Sequence, residues 1–363
     1  MTSFLVVADR EHRALLVQPE ALALLEAAGT VRELNLPGIE TEQERRRVLG
    51  DALSDADAVV FAPWHTYGVD ELSPECWQGA RRLKAITGTF GYRFEEFFSL
   101  ELGELERRGI VVVDTSRSNS ATVAEYGLAM ILSLLRGIPD DVALVRGGGW
   151  REIYAWPDWA GVSGELTGRR VGLAGFGAIN RRLAQLLAPF ECAVSAYDPF
   201  ITDDALAGGS VVRAESLRKL AEASEIFVVG IPRTPATVGI VDREVIDSLA
   251  QGSLFVLLTR MAVVDQNALW ERTAAAEIRA AVDVYEPEPP PADSRIRTDP
   301  NVLPTPHIGG NTAAVNRRCF TLACHEAVSA VHGRPLAYRM TARDADLYSG
   351  RLSEQRSAID TRR

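Results

Sequence analysis

A chain of 363 residues is too long for one ordinary domain, and two are expected. Its composition, 47% hydrophobic and 24% charged, permits a substantial buried core, while a formal net charge of −10 argues against broad binding to nucleic acid or an anionic membrane. The four cysteines, Cys76, Cys192, Cys319 and Cys324, are too few and too scattered for a disulfide framework and fit a reducing cytoplasm.

The chain opens on the apolar run Phe4–Ala8, which lacks the basic flank and longer apolar region of a signal peptide and is expected to be a strand. Further strands are predicted at Val31–Leu34, Ala58–Phe61, Leu83–Ile86 and Val111–Val113. Between them lie helix-period stretches such as Pro19–Ala28, with apolar residues three and four apart. The polar run Thr115-Ser116-Arg117-Ser118-Asn119-Ser120 offers several N-caps and launches a long apolar helix from about Thr122 to Arg136. The segment 147–164, glycine-rich with Trp150, Trp156 and Trp159, reads as a loop.

A second series of strands is predicted at Val171–Ala174, Val194–Tyr197, Ile226–Val229, Leu254–Leu258, Ala280–Val284 and Val302–Leu303, followed by a helix over Thr312–Val331. Short apolar runs alternating with helical stretches are the pattern of a parallel α/β protein. The expected architecture is two Rossmann-like domains with parallel sheets around a central cleft. Residues 1–117 and 312–335 form a discontinuous substrate-binding domain, 118–311 an NAD-binding domain, and 336–363 a polar C-terminal tail. Cys319, Cys324 and His325 fall in an apolar helical stretch without a second cluster of ligands, so they are read as packing, not as a metal site. No stretch reaches the roughly 18 apolar residues that suggest a membrane span.

The segment Val171-Gly172-Leu173-Ala174-Gly175-Phe176-Gly177-Ala178-Ile179-Asn180 combines a strand, a glycine turn and a helix start, and a second strand ends about twenty residues later in Tyr197-Asp198. Gly175 permits the tight turn, and Gly177 lets the backbone approach a pyrophosphate. The amides and dipole of the helix start attract phosphate. Asp198 would accept hydrogen bonds from ribose hydroxyls and repel a 2′-phosphate, favouring NAD over NADP.

Three more segments follow predicted strand ends, where an open parallel sheet places its ligands. They are Leu258-Thr259-Arg260, Asp283-Val284-Tyr285-Glu286-Pro287-Glu288-Pro289, and Thr305-Pro306-His307-Ile308-Gly309-Gly310-Asn311. Taken singly, each could be a solvated loop. Together they supply a guanidinium fork for a carboxylate, an imidazole for proton exchange near neutrality, and a carboxylate to fix the imidazole's tautomer.

In these segments the chain resembles the D-isomer-specific 2-hydroxyacid dehydrogenases. The matching stretches, in the family's order, are Val123-Ala124-Glu125, Glu165-Leu166-Thr167-Gly168, Gly175-x-Gly177 with Asp198, Arg260 with Val264-Asp265, Asp283-Val284-Tyr285 with Glu288-Pro289, and Thr305-Pro306-His307-Ile308-Gly309-Gly310. The resemblance implies His307 as acid/base, Glu288 as its partner, and Arg260 as anchor for a substrate carboxylate and carbonyl. It implies cofactor contacts from Gly175, Gly177, Ala178, Ile179, Asp198, Thr259, Arg260, Asp283 and Gly310, and substrate contacts from Gly88, Thr89 and Arg260. A cytoplasmic homodimer, joined largely through the nucleotide domain, is implied as well. The expected activity is NAD-dependent hydride transfer on a small 2-hydroxy or 2-keto acid. Rival readings are a relative acting on another small anion such as phosphite, and a nucleotide-sensing binding protein that kept the fold.

Departures from the family pattern mark where the chain is individual. Asn180 stands where a third glycine or alanine is usual, Leu257 replaces a common asparagine, and Met261 a glycine. Gly230 takes the place of a frequent histidine or cysteine, with Arg233 shortly after it. In the first domain the family's glycine-rich substrate loop reads Thr87-Gly88-Thr89-Phe90-Gly91-Tyr92-Arg93. Its bulky residues, with Trp64, His65 and Tyr67, are expected either to line an unusual pocket or to pack between the domains.

Overall fold

The computed structural model describes residues 1–11, 13–36, 38–63, 72–91, 102–150, 164–202, 206, 211–341 and 344. The chain divides into two compact units, residues 1–119 with 311–363, and residues 120–310. Each is built on a wholly parallel sheet.

The first unit's sheet has the order β2-β1-β3-β4-β5, formed by β1 (Ser3–Val7), β2 (Thr30–Leu34), β3 (Ala58–Phe61), β4 (Ala85–Gly88) and β5 (Val111–Asp114). Phe4–Val7 of β1 and all of β3 are continuous apolar runs because both of their faces are covered. One face packs Leu5, Phe61, Trp77, Ile86 and Phe90 together, and the other packs Phe4, Val60 and Ala85 against Phe320, Ala323, Cys324 and Ala327 of the final helix. That helix, Ala313–Val331, begins where the Thr312 side chain accepts the Val315 N–H. Cys319 and Cys324 are buried in it as free thiols. The strand expected at Leu83–Ile86 begins at Ala85 instead, because Leu83 closes a turn back to Ala80 while its side chain is buried in the core.

Residues 336–341, expected to belong to a polar tail, lie along β5. Arg339 bridges Val113 in antiparallel fashion, the Met340 N–H donates to Val112, and the Met340 side chain is buried in the core. The Glu326 carboxylate accepts the N–H groups of Ala337 and Tyr338 and fixes the turn that precedes them.

The second unit's sheet runs β12-β11-β10-β9-β6-β7-β8. Its strands are β6 (Arg170–Ala174), β7 (Ala193–Tyr197), β8 (Val211–Arg213), β9 (Ile226–Val229), β10 (Leu254–Leu257), β11 (Arg279–Val282) and β12 (Val302–Pro304). From β6 the chain winds outward through β7 and β8, then returns to continue through β9 to β12 on the other side. The winding direction therefore reverses between β6 and β9, which is where such sheets bind nucleotides. Strand β8 carries no apolar run of useful length and lies exposed at the sheet edge, which is why its pattern is silent in sequence. The helix Ser120–Arg136 buries Val123, Ala124, Met130, Ile131, Leu134 and Leu135 against one sheet face. Among the described residues no helix is long and apolar enough to cross a membrane, and no group of three or more potential metal ligands comes together.

Candidate active site

Because β6 to β12 are all parallel, the loops leaving their C-terminal ends share one edge of the second unit. That edge carries Gly175 after β6, Asp198 after β7, Gly230 after β9, Thr259 and Arg260 after β10, Asp283 after β11, and His307 after β12.

At the nucleotide end, Gly175 takes a φ of +79°, a conformation that favours glycine, and a side chain there would press on Gly230 and Ile231. The helix Ala178–Leu187 starts at Gly177, which has no side chain to cap it, so the first amides, including those of Ala178 and Ile179, receive no N-cap hydrogen bond. A Cβ added at Gly177 would meet nothing within 4 Å. Open space before uncapped amides suits a pyrophosphate. The Thr259 hydroxyl is buried and makes no hydrogen bond among the described residues, a polar group awaiting a partner. Asp198 has a task the sequence did not show: its two oxygens accept the N–H groups of Phe176 and Phe200, each at 2.8 Å, tying the glycine loop to the end of β7. Each oxygen keeps a lone pair for a ribose hydroxyl. The residues present thus fit a dinucleotide.

At the other end of the edge, His307 Nδ1 lies 2.5 Å from Glu288 Oε1, and both side chains are partly exposed, at 40% and 38%. His307 has a φ of +53°, rare for a residue with a side chain, and its N–H turns back to the Thr305 carbonyl. Such strain costs about 1–3 kcal/mol and persists only where neighbours over-determine it.

Those neighbours centre on Asp283, which is buried. Its Oδ1 accepts the Thr305 hydroxyl at 2.7 Å and the Ile308 N–H at 3.0 Å, and its Oδ2 accepts the Gly309 N–H at 2.8 Å. The carboxylate therefore grips the His307 loop on both sides of the histidine. A Cβ on Gly309 would collide with the Tyr126 ring and the same carboxylate, so the close approach requires glycine. Tyr126 hydrogen-bonds Thr305, and burial raises its pKa. The Tyr285 hydroxyl donates to the carbonyls of Thr305 and Val282, and burial pushes its pKa up to about 12, keeping it a donor at any physiological pH. Tyr285 and Thr305 stood inside matching stretches of sequence without a role, and Tyr126 directly after one, because their task is contact across the fold.

Arg260 sits at the end of β10, separated from β12 by β11 alone, and one of its N–H groups donates to the Thr259 carbonyl at 2.8 Å. Leu257, in the usual asparagine's place, is fully buried in the core, as Met261 nearly is.

In the first unit, Gly88 ends β4, where any side chain would strike the Phe90 ring and Phe61. The Thr89 hydroxyl is buried and bonded to that of Thr115 at 2.9 Å. Phe90 corrects the expectation of a pocket wall or an interdomain contact. It is a core residue of its own unit, edge-to-face with Phe61 at 5.9 Å, because its N–H is held by Asp114 and the ring is turned inward. Trp64, His65, Tyr67, Tyr92 and Arg93 lie outside the described residues, as do Trp156 and Trp159.

Comparison with known proteins decides the family. Residues 128–309 match the NAD binding domain of D-isomer specific 2-hydroxyacid dehydrogenases. The chain belongs to that family. The chain is 33% identical over 226 residues to a putative 2-hydroxyacid dehydrogenase, YoaD, of Bacillus subtilis, covering 62% of this chain and 64% of that protein. It is 30% identical over 267 residues to the D-3-phosphoglycerate dehydrogenase of Archaeoglobus fulgidus, covering 73% and 49%. The chain thus spans about half to two thirds of the length of these relatives. A 2-hydroxyacid dehydrogenase structure from Ketogulonicigenium vulgare superposes with a TM-score of 0.72 at 25% identity, covering 94% of this chain and 99% of that one. As a family member, the chain carries the NAD-binding domain in its second unit.

Proposed function

We propose that this chain is an NAD-dependent oxidoreductase that transfers a hydride between the nicotinamide and a small 2-hydroxy or 2-keto acid. His307 exchanges the hydroxyl proton, Glu288 orients it, and Arg260 anchors the substrate carboxylate and carbonyl. The observation that carries this reading is the 2.5 Å pairing of His307 Nδ1 with Glu288, held on the nucleotide-binding edge by Asp283. With Nδ1 facing a carboxylate, Nε2 is the atom that meets substrate. A bound nicotinamide would supply or accept the C2 hydride, and His307 Nε2 would give a proton to the carbonyl oxygen in reduction and take it from the hydroxyl in oxidation.

Gly175, Gly177, Ala178 and Ile179 would hold the pyrophosphate, Asp198 the adenosine ribose, and Thr259, Asp283 and Gly310 the nicotinamide end. Gly88 and Thr89 would offer backbone amides to the substrate carboxylate, since the Thr89 hydroxyl is already engaged. On this reading the first unit is the substrate-binding domain.

A cytoplasmic homodimer completes the proposal. Four free cysteines suit a reducing compartment. The helix Ile138–Arg146 buries none of its residues and leaves Ile138, Val142, Leu144 and Val145 37–53% exposed, an apolar face that a second copy would cover. Light scattering on the eluting protein should give twice the chain mass, and Val142→Glu with Val145→Glu should lower it; a wild-type monomer would refute the dimer.

Screening 2-keto acids for NADH oxidation tests the activity. Replacing His307 with Asn should lower turnover on any accepted substrate by roughly 10²–10⁴-fold while NADH still binds. Unchanged turnover would remove His307 from the chemistry.

A further inference from the structure

We infer that Asn180 is a positioning residue for the nicotinamide nucleotide, its carboxamide seated in the space left by Gly230 and holding the Gly175 turn in binding shape. The inference rests on the NAD-binding reading and concerns two of the positions, 180 and 230, at which the sequence departs from the family pattern. The structure shows that the two departures meet. Asn180 is fully buried, and its Nδ2 donates to the Gly175 carbonyl at 2.7 Å and the Ala174 carbonyl at 3.3 Å. Those carbonyls belong to the end of β6 and the glycine turn itself. A Cβ built on Gly230 would lie 2.5 Å from Nδ2 and 2.7 Å from Cγ of Asn180. Gly230 does not have a positive φ, so its backbone would accept a side chain, and Asn180 accounts for the glycine.

The space beside Gly230 is filled by a side chain from the first turn of the helix, which also makes two hydrogen bonds to the nucleotide turn. The Gly230 N–H donates to the Ala174 carbonyl at 2.8 Å, and a Cβ added at Gly175 would lie 3.2 Å from the Gly230 carbonyl, so the ends of β6 and β9 meet closely where the winding reverses. Asn180 Oδ1 stays buried without a hydrogen bond among the described residues, an unfavourable arrangement that a residue chosen for packing alone would avoid. The carboxamide is kept for its donors, and the donors hold the turn whose amides face the pyrophosphate.

The test is NADH binding, followed by fluorescence, in wild type, Asn180→Ala, Gly230→Ala and the double variant, with melting temperatures taken without cofactor. Asn180→Ala should weaken NADH about tenfold, the size expected for two hydrogen bonds. Where activity is measurable, the KM for NADH should rise while kcat holds. Gly230→Ala should weaken NADH at least as much alone, yet cost nothing further in the Asn180→Ala background. Additive losses, or lowered melting temperatures with unchanged NADH affinity, would overturn the assignment. Should Gly230→Ala fold only beside Asn180→Ala, the coupling is seen directly; should it fold in neither, the affinity of Asn180→Ala decides. Wild-type protein that fails to bind NADH would instead refute the function proposed above.

Discussion

Each unit ties down a loop with a buried aspartate at the end of a strand, yet one loop is turned into its unit's core and the other presents its side chain to solvent. Asp114 ends β5 and accepts the N–H of Phe90, from the loop after neighbouring β4, together with the N–H and hydroxyl of Ser116. Asp283 follows β11 and accepts Thr305, Ile308 and Gly309, from the loop after neighbouring β12. In the first unit the loop is plugged into the core by Phe90. In the second, His307 adopts a left-handed conformation that leaves its ring in reach of solvent and of Glu288. A carboxylate receiving backbone N–H groups can thus serve either rigidity or presentation, and the side chain it holds decides which.

The strongest test of that contrast is Phe90→Ala, which should destabilise the first unit by about 3–5 kcal/mol through the cavity left in its core while NADH binding stays intact. Chemical denaturation beside an NADH titration would show it, and a stability loss below 1 kcal/mol would remove Phe90 from the core. Next comes Asp283→Ala. Freed from its grip, the His307 loop should lose its geometry, lowering kcat by about 10²-fold, or roughly 2.7 kcal/mol, with NADH affinity changing less. Equal losses in both would make Asp283 a cofactor ligand first and a loop anchor second.

Asp114→Asn should cost about 1–3 kcal/mol, since one of the donors it serves is left without a good acceptor. Burial pushes the Asp114 pKa up, against the opposing pull of its donors from Ser116, Phe90 and Gly91. The folded chain therefore binds this proton more tightly than the unfolded chain. This contribution to stability is full below the unfolded carboxyl pKa and is lost as pH rises through the folded value. Melting curves across the acid range should show that slope in wild type and lose it in Asp114→Asn. The smallest effect is expected of Tyr126→Phe, which removes one hydrogen bond to Thr305 and should change kcat by less than about tenfold.

The sequence determined the α/β class, the strand ends that carry Gly175, Arg260 and His307, and the helix Pro19–Ala28, because these depend on local periodicity and turn chemistry. It also contained His307 and Glu288 within recognisable stretches, though only the fold brought their side chains to 2.5 Å. What the tertiary structure alone decided was everything made by meeting across strands. Phe90 is core because Asp114 holds it from 24 residues away, and Asp283 serves the loop of β12 as well as the edge where nicotinamide is expected. Asn180 and Gly230 become one packing unit only when β6 and β9 lie side by side. A side-chain carboxylate or carboxamide has no period of its own, so its partner is set by which strands become neighbours.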